Sequence, residues 1–277
     1  MNILKKVASV LCASALLLPV LAGCGGTNTT DTASTGNGDT QASLEAAIAK
    51  TSALTDVHSK GNVKMSMSAQ GQSLDMIIDM ETWQKTVEGS TVPESKIVMN
   101  MDLGAAGGTM DMVMYTKDDA VYMETQGQKM KMSMADFAQS GTDMEGMAQL
   151  ISADMIKSYT LSETSGKIVY DVVLDEAGFQ TYIDQALAEA GQTGVSAGSA
   201  KINKVTTTIT VEGDYVTNQK IDVDMEISAE GITVPTTMTM DLEYVSPGES
   251  VTIDFPDFAD YIDISGATAG TDAPVAA

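Results

Sequence analysis

From Asp56 onward, apolar side chains recur at every second position for most of the chain. Val63, Met65 and Met67 alternate with Lys64, Ser66 and Ser68, and Leu74, Met76, Ile78 and Met80 alternate with Asp75, Ile77, Asp79 and Glu81. The same period continues through Ile97, Met99, Met101 and Leu103, then Met110, Met112 and Met114, then Val121 and Met123, then Met130, Met132 and Met134. A period of two sends alternate side chains to opposite faces, so these runs predict an antiparallel meander with one apolar and one wet face. Gly-containing turns separate them at Gln70-Gly71, Gly107-Gly108 and Gln126-Gly127.

Helical spacing interrupts the strands. Ser43 caps a helix from Leu44 to about Leu54, with Leu44, Ala47, Ile48 and Leu54 on one face. Residues 135–157 carry Phe137, Met144, Met147, Leu150, Ile151, Met155 and Ile156 at irregular helical spacing. One or two short helices are predicted there, broken near Ser140-Gly141. Asp175 caps a third helix to about Ala190, burying Phe179, Tyr182, Ile183, Ala186 and Leu187, and a Gly/Ser-rich loop follows at 191–200. The remaining predicted strands are Tyr159–Glu163, Lys167–Leu174, Ile202–Glu212, Tyr215–Ala229, Ile232–Val245 and a last one at Val251–Phe255. The sum is an α+β domain over residues 43–265, with residues 266–277 as a disordered tail.

Ahead of this domain the pattern changes. Lys5 and Lys6 precede an apolar run from Val7 to Val20, which is short for a membrane span, and Leu21-Ala22-Gly23-Cys24 follows. Residues 1–23 read as a signal peptide, and Leu-Ala-Gly-Cys has the form of a bacterial lipobox. That pattern implies diacylglycerol on Cys24, cleavage before it, and a cell-membrane anchor on the extracytoplasmic side. An ordinary secretory signal with an incidental cysteine is the competing reading. Residues 24–42 are almost wholly Gly, Thr, Asn, Asp, Ser and Gln, a composition that cannot bury a core and predicts a flexible tether.

Composition narrows the chemistry. The chain has 277 residues, 15 basic residues (all lysine) against 38 carboxylates, and a net charge of −23. Nucleic acid is excluded as a partner by that charge and by the lack of a basic patch. The 2 cysteines are Cys12 and Cys24 and the 1 histidine is His58, so multi-histidine or cysteine metal sites and disulfides are excluded from the domain. His58 reads as an exposed boundary residue after the first helix. Carboxylates at Asp75, Asp79, Asp102, Asp111, Asp222, Asp224, Glu226, Asp241 and Glu243 occupy the outward strand phase and read as a solvated face. Asp254, Asp257, Asp260 and Asp263 recur every three residues without the spacing of a calcium loop. No nucleotide, hydrolase or phosphate motif is present. No enzyme activity, catalytic residue, cofactor or metal is predicted.

The 20 methionines are the unusual feature. Met65, Met67, Met76, Met80, Met99, Met101, Met110, Met112, Met114, Met130, Met132, Met238 and Met240 share the apolar strand phase. Core packing explains them by default, since methionine fills irregular gaps. An adaptable thioether-lined face also suits hydrophobic partners of variable shape, so these residues are the candidate lining of a ligand cavity. Met-x-Met pairs offer soft ligands for Cu(I) as well, but lack the histidine or cysteine such sites usually add.

The lipidated Cys24, the tether, the opening helix at Leu44–Leu54 and the broken meander together resemble the LolA/LolB and LppX/LprG superfamily of bacterial lipoproteins. The chain is also similar to uncharacterised Gram-positive lipoproteins of this layout, in which a hairpin like Asp119-Ala120-Val121-Tyr122-Met123 with Gly127-Gln128-Lys129-Met130 recurs. The resemblance spans Leu44 to about Ser265 and carries no catalytic residue. It implies a strongly curved antiparallel half-barrel with helices on its concave face, binding a hydrophobic ligand such as a lipid for transfer or sensing at the envelope. The alternative is a structural or protein-interaction lipoprotein with a filled core.

Overall fold

The computed structural model describes residues 38–69, 72–90, 92–104, 107–139, 155–181, 184, 199–229 and 232–265. The predicted signal peptide, most of the predicted tether, the Gln70-Gly71 turn, the stretch 140–154 and the tail at 266–277 lie outside them. So do Tyr182, Ile183, Ala186 and Leu187 of the third predicted helix and most of the loop at 191–200. Helix α1 (Gly38–Ser52) leads into β1 (Asp56–Ala69), β2 (Gln72–Lys85), β3 (Glu94–Asp102), β4 (Thr109–Lys117), β5 (Ala120–Thr125) and β6 (Gln128–Ser133). After α2 (Met134–Gln139) come β7 (Ile156–Thr164), β8 (Lys167–Leu174), β9 (Ser199–Glu212), β10 (Tyr215–Ala229), β11 (Ile232–Tyr244) and the short β12 (Ile262–Asp263).

All these strands form one open, curled 12-stranded sheet, ordered β12-β6-β5-β4-β3-β2-β1-β11-β10-β9-β8-β7. Each meander, β1 to β6 and β7 to β11, is built from neighbours in sequence, and the two are joined where β1 pairs with β11. Only β12 runs parallel to its partner, β6. Twist accumulated across many strands curls such a sheet. Bulges between Val216 and Asn218, Asp224 and Met225, and Ile156 and Ser158 add local bending in the second meander.

Burial follows the predicted alternation. The buried side chains of β1 to β3 and β8 to β11, among them Val63, Ile78, Met99, Val172, Ile209, Ile221 and Val234, form one continuous core. Leu44 and Ala47 of α1, Phe137 of α2 and Phe179 belong to that same core. Helix α1 is locked at its C-terminal end. Thr51 Oγ1 donates to the Ala47 carbonyl at 2.8 Å and accepts the Val216 N–H at 2.9 Å. Asp175 accepts the Gly178 N–H at 3.1 Å, which is the predicted cap, and the chain is helical over 176–181. At the start of α2 the Ser133 hydroxyl accepts the Asp136 N–H at 3.0 Å as a cap and donates to the Asp136 carboxylate at 2.7 Å.

The opposite face is ordered as well as wet. Lys220, Asp241, Asn62, Asp79, Asn100 and Asp111 stand directly opposite one another on successive strands. Asn62 donates to Asp79 at 2.6 Å, Asn218 reaches Asp241 at 2.6 Å, and Asn100 donates to Asp111. Each aspartate in this row therefore faces an amide or a lysine rather than another carboxylate. Like charges in register would repel, so this spacing lets an acidic sheet close.

Several elements differ from the sequence expectation. Helix α1 begins at Gly38 instead of Leu44, extended by a turn that includes a Gln41 to Glu45 side-chain hydrogen bond of 2.8 Å. The segment Val251–Phe255 is not a strand, although its side chains alternate; Pro247 and Pro256 flank it and it makes no ladder. Instead the chain runs from Val251, whose N–H bonds the Asp56 carboxylate at 3.0 Å, over the outer face of β4 and β5 at residues 255–261, and then joins the edge of β6 as β12. Phe255, Phe258 and Tyr261 pack there on Tyr115 and Tyr122 in a second, smaller core. Phe258 stacks on Tyr122 with centroids 3.8 Å apart. That covering puts an apolar cluster on the outer face of β4 and β5 around Tyr115 and Tyr122, where a wet face was expected, while Asp111 of β4 stays in the polar row. His58 is no boundary residue: it sits in β1, stacks on Trp83 at 4.9 Å and meets Glu81 at 2.8 Å.

Candidate functional site

The cross-strand register turns the methionine stripes into rows running across the sheet. Met65 faces Met76 on one side and Met238 on the other. Met240 faces Val63, which faces Ile78, then Met101 and Met110. Met80, Met99 and Met112 form the next row, and Met114, Met123 and Met130 the one after. Met65, Met67, Met76, Met80, Met99, Met101, Met114 and Met240 are buried, while Met110, Met112, Met132 and Met238 pack half-buried against the same core. Met130 is half-buried between Met123 and Ile262. The predicted residues therefore share one face and run from β11 across to β6.

Each buried methionine contributes roughly 1.5–3 kcal/mol, about what leucine would. What distinguishes it is an unbranched, polarizable side chain that accepts several packings at similar energy. A face built from such rows holds its register through the backbone ladder and leaves its side chains adaptable.

The inner face changes character toward one end of the strands, a feature that sequence reading missed. Ser59 faces Thr82, Gln84 faces Ser95, and Ser95 faces Thr116, all buried and in the same phase as the methionines. The signal was present: Thr82 and Gln84 simply continue the alternation of Leu74, Met76, Ile78 and Met80. Tyr244 stands opposite Ser59, its phenol pushed up from the ordinary range by burial and thus neutral. Thr82 Oγ1 is buried without a hydrogen-bond partner. Buried hydroxyls elsewhere are satisfied by the chain: Thr207 donates to the Lys220 carbonyl at 2.8 Å and Thr236 to the Val234 carbonyl at 3.2 Å.

Beside this polar end lies a cleft of about 350 Å³, lined by residues 87–90 and 92–94 of the β2–β3 connection and by Thr116–Asp119. Among the described residues none of the predicted methionines lines it. Its rim includes the hairpin turn at Asp118 and Asp119, both left-handed with φ of 50° and 57°. Among the described residues no group of three or more His, Cys, Asp or Glu converges as a metal site. Asp263, one of the evenly spaced tail aspartates, instead bonds Ser265, which holds its carboxyl below the usual range, with Lys131 contributing less. Among the described residues no helix is long and apolar enough to cross a membrane.

Residues 40–259 match the model of a family described as of unknown function, DUF6612. The chain belongs to the DUF6612 family. No curated protein sequence matches it. Among solved structures, this DUF6612 protein is similar to LprF from Mycobacterium bovis, an LppX/LprG-like lipoprotein. The two are 14% identical, the likeness covers 79% of this chain and 98% of that one, and the TM-score is 0.41. It is similar too to a DUF1329 family protein from Desulfovibrio piger, at 13% identity, 76% and 94% coverage and a TM-score of 0.27. A third is the ywiB protein from Bacillus subtilis, at 6% identity, 69% and 94% coverage and a TM-score of 0.25. No ligand, partner or role passes from these proteins to the DUF6612 chain.

Proposed function

We propose that this protein is a membrane-anchored extracytoplasmic lipoprotein that binds a hydrophobic ligand, a lipid, for transfer or sensing at the cell envelope. The observation that carries the reading is the set of methionine rows on one face of a curled sheet, in contact with apolar side chains from α1 and α2. On this reading residues 1–23 are removed, Cys24 carries the lipid anchor, and the chain up to α1 is the tether. The domain closes near residue 265, and the helices lie on the concave side of the sheet. Acyl chains enter between helices and sheet, displacing or parting methionines; each methylene removed from water contributes about 0.8 kcal/mol. No bond is made or broken, and no cofactor or metal takes part.

Native mass spectrometry of the full mature chain, purified gently from membranes and then extracted with organic solvent, tests this. The expected result is a copurifying lipid, lost in a Met112→Asp/Met132→Asp variant whose circular dichroism is unchanged. A clean apo mass with no uptake of added lipid overturns the reading and leaves a filled-core interaction module.

A further inference from the structure

The buried polar end of the inner face has a composition that ordinary packing does not call for. Ser59, Thr82, Gln84, Ser95 and Thr116 are 6%, 1%, 5%, 6% and 3% exposed, adjacent across β1 to β4, and include neither a cation nor a carboxylate. Among the described residues, Thr82 Oγ1 is the one buried side-chain nitrogen or oxygen left without a partner. An unsatisfied hydroxyl in the interior carries a penalty that a partner atom would remove, and such groups normally are satisfied. Thr116 belongs both to this patch and to the wall of the 350 Å³ cleft, which lies between the β2–β3 connection and the β4–β5 turn.

We infer that this end is a headgroup subsite for a neutral glycerolipid, taking its hydroxyl and ester oxygens, with the acyl chains along the methionine rows. The assignment rests on the hydrophobic-ligand reading above. Thr82 Oγ1 donates to a ligand oxygen and so gains the partner it lacks, Gln84 and Ser95 extend the polar patch from it, and Thr116 joins the patch to the cleft wall. A phosphate would find no counter-charge within the patch, in a chain of net charge −23 that has no arginine. Among the described residues, the cleft beside it carries Glu88, Glu94, Asp118 and Asp119 against the single cation Lys117. Burying an unpaired charge is far costlier than burying a hydroxyl that finds a partner. The subsite therefore selects uncharged headgroups over anionic ones.

The test uses the full mature chain and three fluorescent probes: a pyrene-labelled diacylglycerol, phosphatidylglycerol with the same labelled chains, and a pyrenyl alkane. Native protein is expected to bind diacylglycerol more tightly than phosphatidylglycerol. Thr82→Val keeps the shape and removes the hydroxyl. It is expected to weaken diacylglycerol binding about tenfold, as loss of a designed hydrogen bond does, and to leave the alkane unchanged. Thr82→Ser is expected to restore diacylglycerol affinity. In the unliganded protein Thr82→Val is expected to raise the melting temperature, because the orphan hydroxyl is gone. Equal diacylglycerol affinity in native and Thr82→Val protein, with the alkane still bound, overturns the subsite while the hydrophobic-ligand reading stands. Preference for phosphatidylglycerol overturns it too. Failure of the native protein to bind any of the probes overturns both.

Discussion

Changing Asn62 to Asp would place carboxylates at three successive positions in one cross-strand row. Asn62 stands between Asp241 on β11 and Asp79 on β2, and donates to Asp79 at 2.6 Å. Directly opposed side chains sit about 5 Å apart at Cβ, and like charges there cost about 0.2–1 kcal/mol per pair. Coulomb's law in water gives about 0.8 kcal/mol at that separation, so two new pairs cost about 1–2 kcal/mol. For a chain of this size that is a fall in melting temperature of about 2–8 °C. Thermal unfolding followed by circular dichroism at pH 7 in low salt measures it, with Asn62→Ala as the control that loses the hydrogen bond without adding charge. In 1 M salt the screening length drops to about 3 Å and most of the difference between Asp and Ala should vanish. Asn62→Asp as stable as the native chain in low salt, or a deficit that 1 M salt leaves intact, would refute the ladder argument.

Three further outcomes follow from the geometry. Phe258→Ala removes the ring at the centre of the outer aromatic cluster, where it meets Tyr122 at 3.8 Å, Tyr261 at 5.3 Å and Tyr115 at 5.7 Å. A loss of about 2–3 kcal/mol is expected. Hydrogen exchange at Ile264, whose N–H bonds the Lys131 carbonyl at 2.8 Å, should accelerate, and exchange in β1 and β2 should not. Gly104→Ala should destabilise by about 1–3 kcal/mol in denaturant unfolding. Gly104 has φ +52°, and an added Cβ would lie 2.6 Å from the Asp75 carbonyl oxygen. Asp222 is held below its ordinary value of 3.8 chiefly by the Thr239 hydroxyl, with Lys220 adding to it. Such a group stabilises the fold above that ordinary value, and the contribution is lost as pH falls through the depressed one. The melting-temperature gap between native protein and Thr239→Val should therefore be constant near neutrality and close as the pH is taken below 3.8.

The strands were readable because a period of two is a local property, and the apolar phase survives in every pair of neighbours. Lys167–Leu174 and Tyr215–Ala229 coincide with β8 and β10 for that reason. The same rule misled at Val251–Phe255. Alternation there serves an aromatic strap on the outer face, and a strand needs a partner as well as a pattern. The candidate site was half legible. Methionines announced an adaptable apolar face, but Ser59, Thr82, Gln84, Ser95 and Thr116 look in sequence like ordinary polar positions.

By itself the sequence determined the strand phase, the helix start at Asp175, the acidity, and the absence of a histidine or cysteine cluster in the domain. These depend on residues close together in the chain or on simple counts. Tertiary structure alone decided that β1 pairs with β11, which joins two meanders into one sheet. It also decided that Asp241, Asn62, Asp79, Asn100 and Asp111 fall into a single row, and that buried hydroxyls gather beside the cleft at Thr116. Register between strands distant in sequence is set by the hydrogen-bond ladder and by burial of one face, and no local pattern encodes which distant residue will stand opposite.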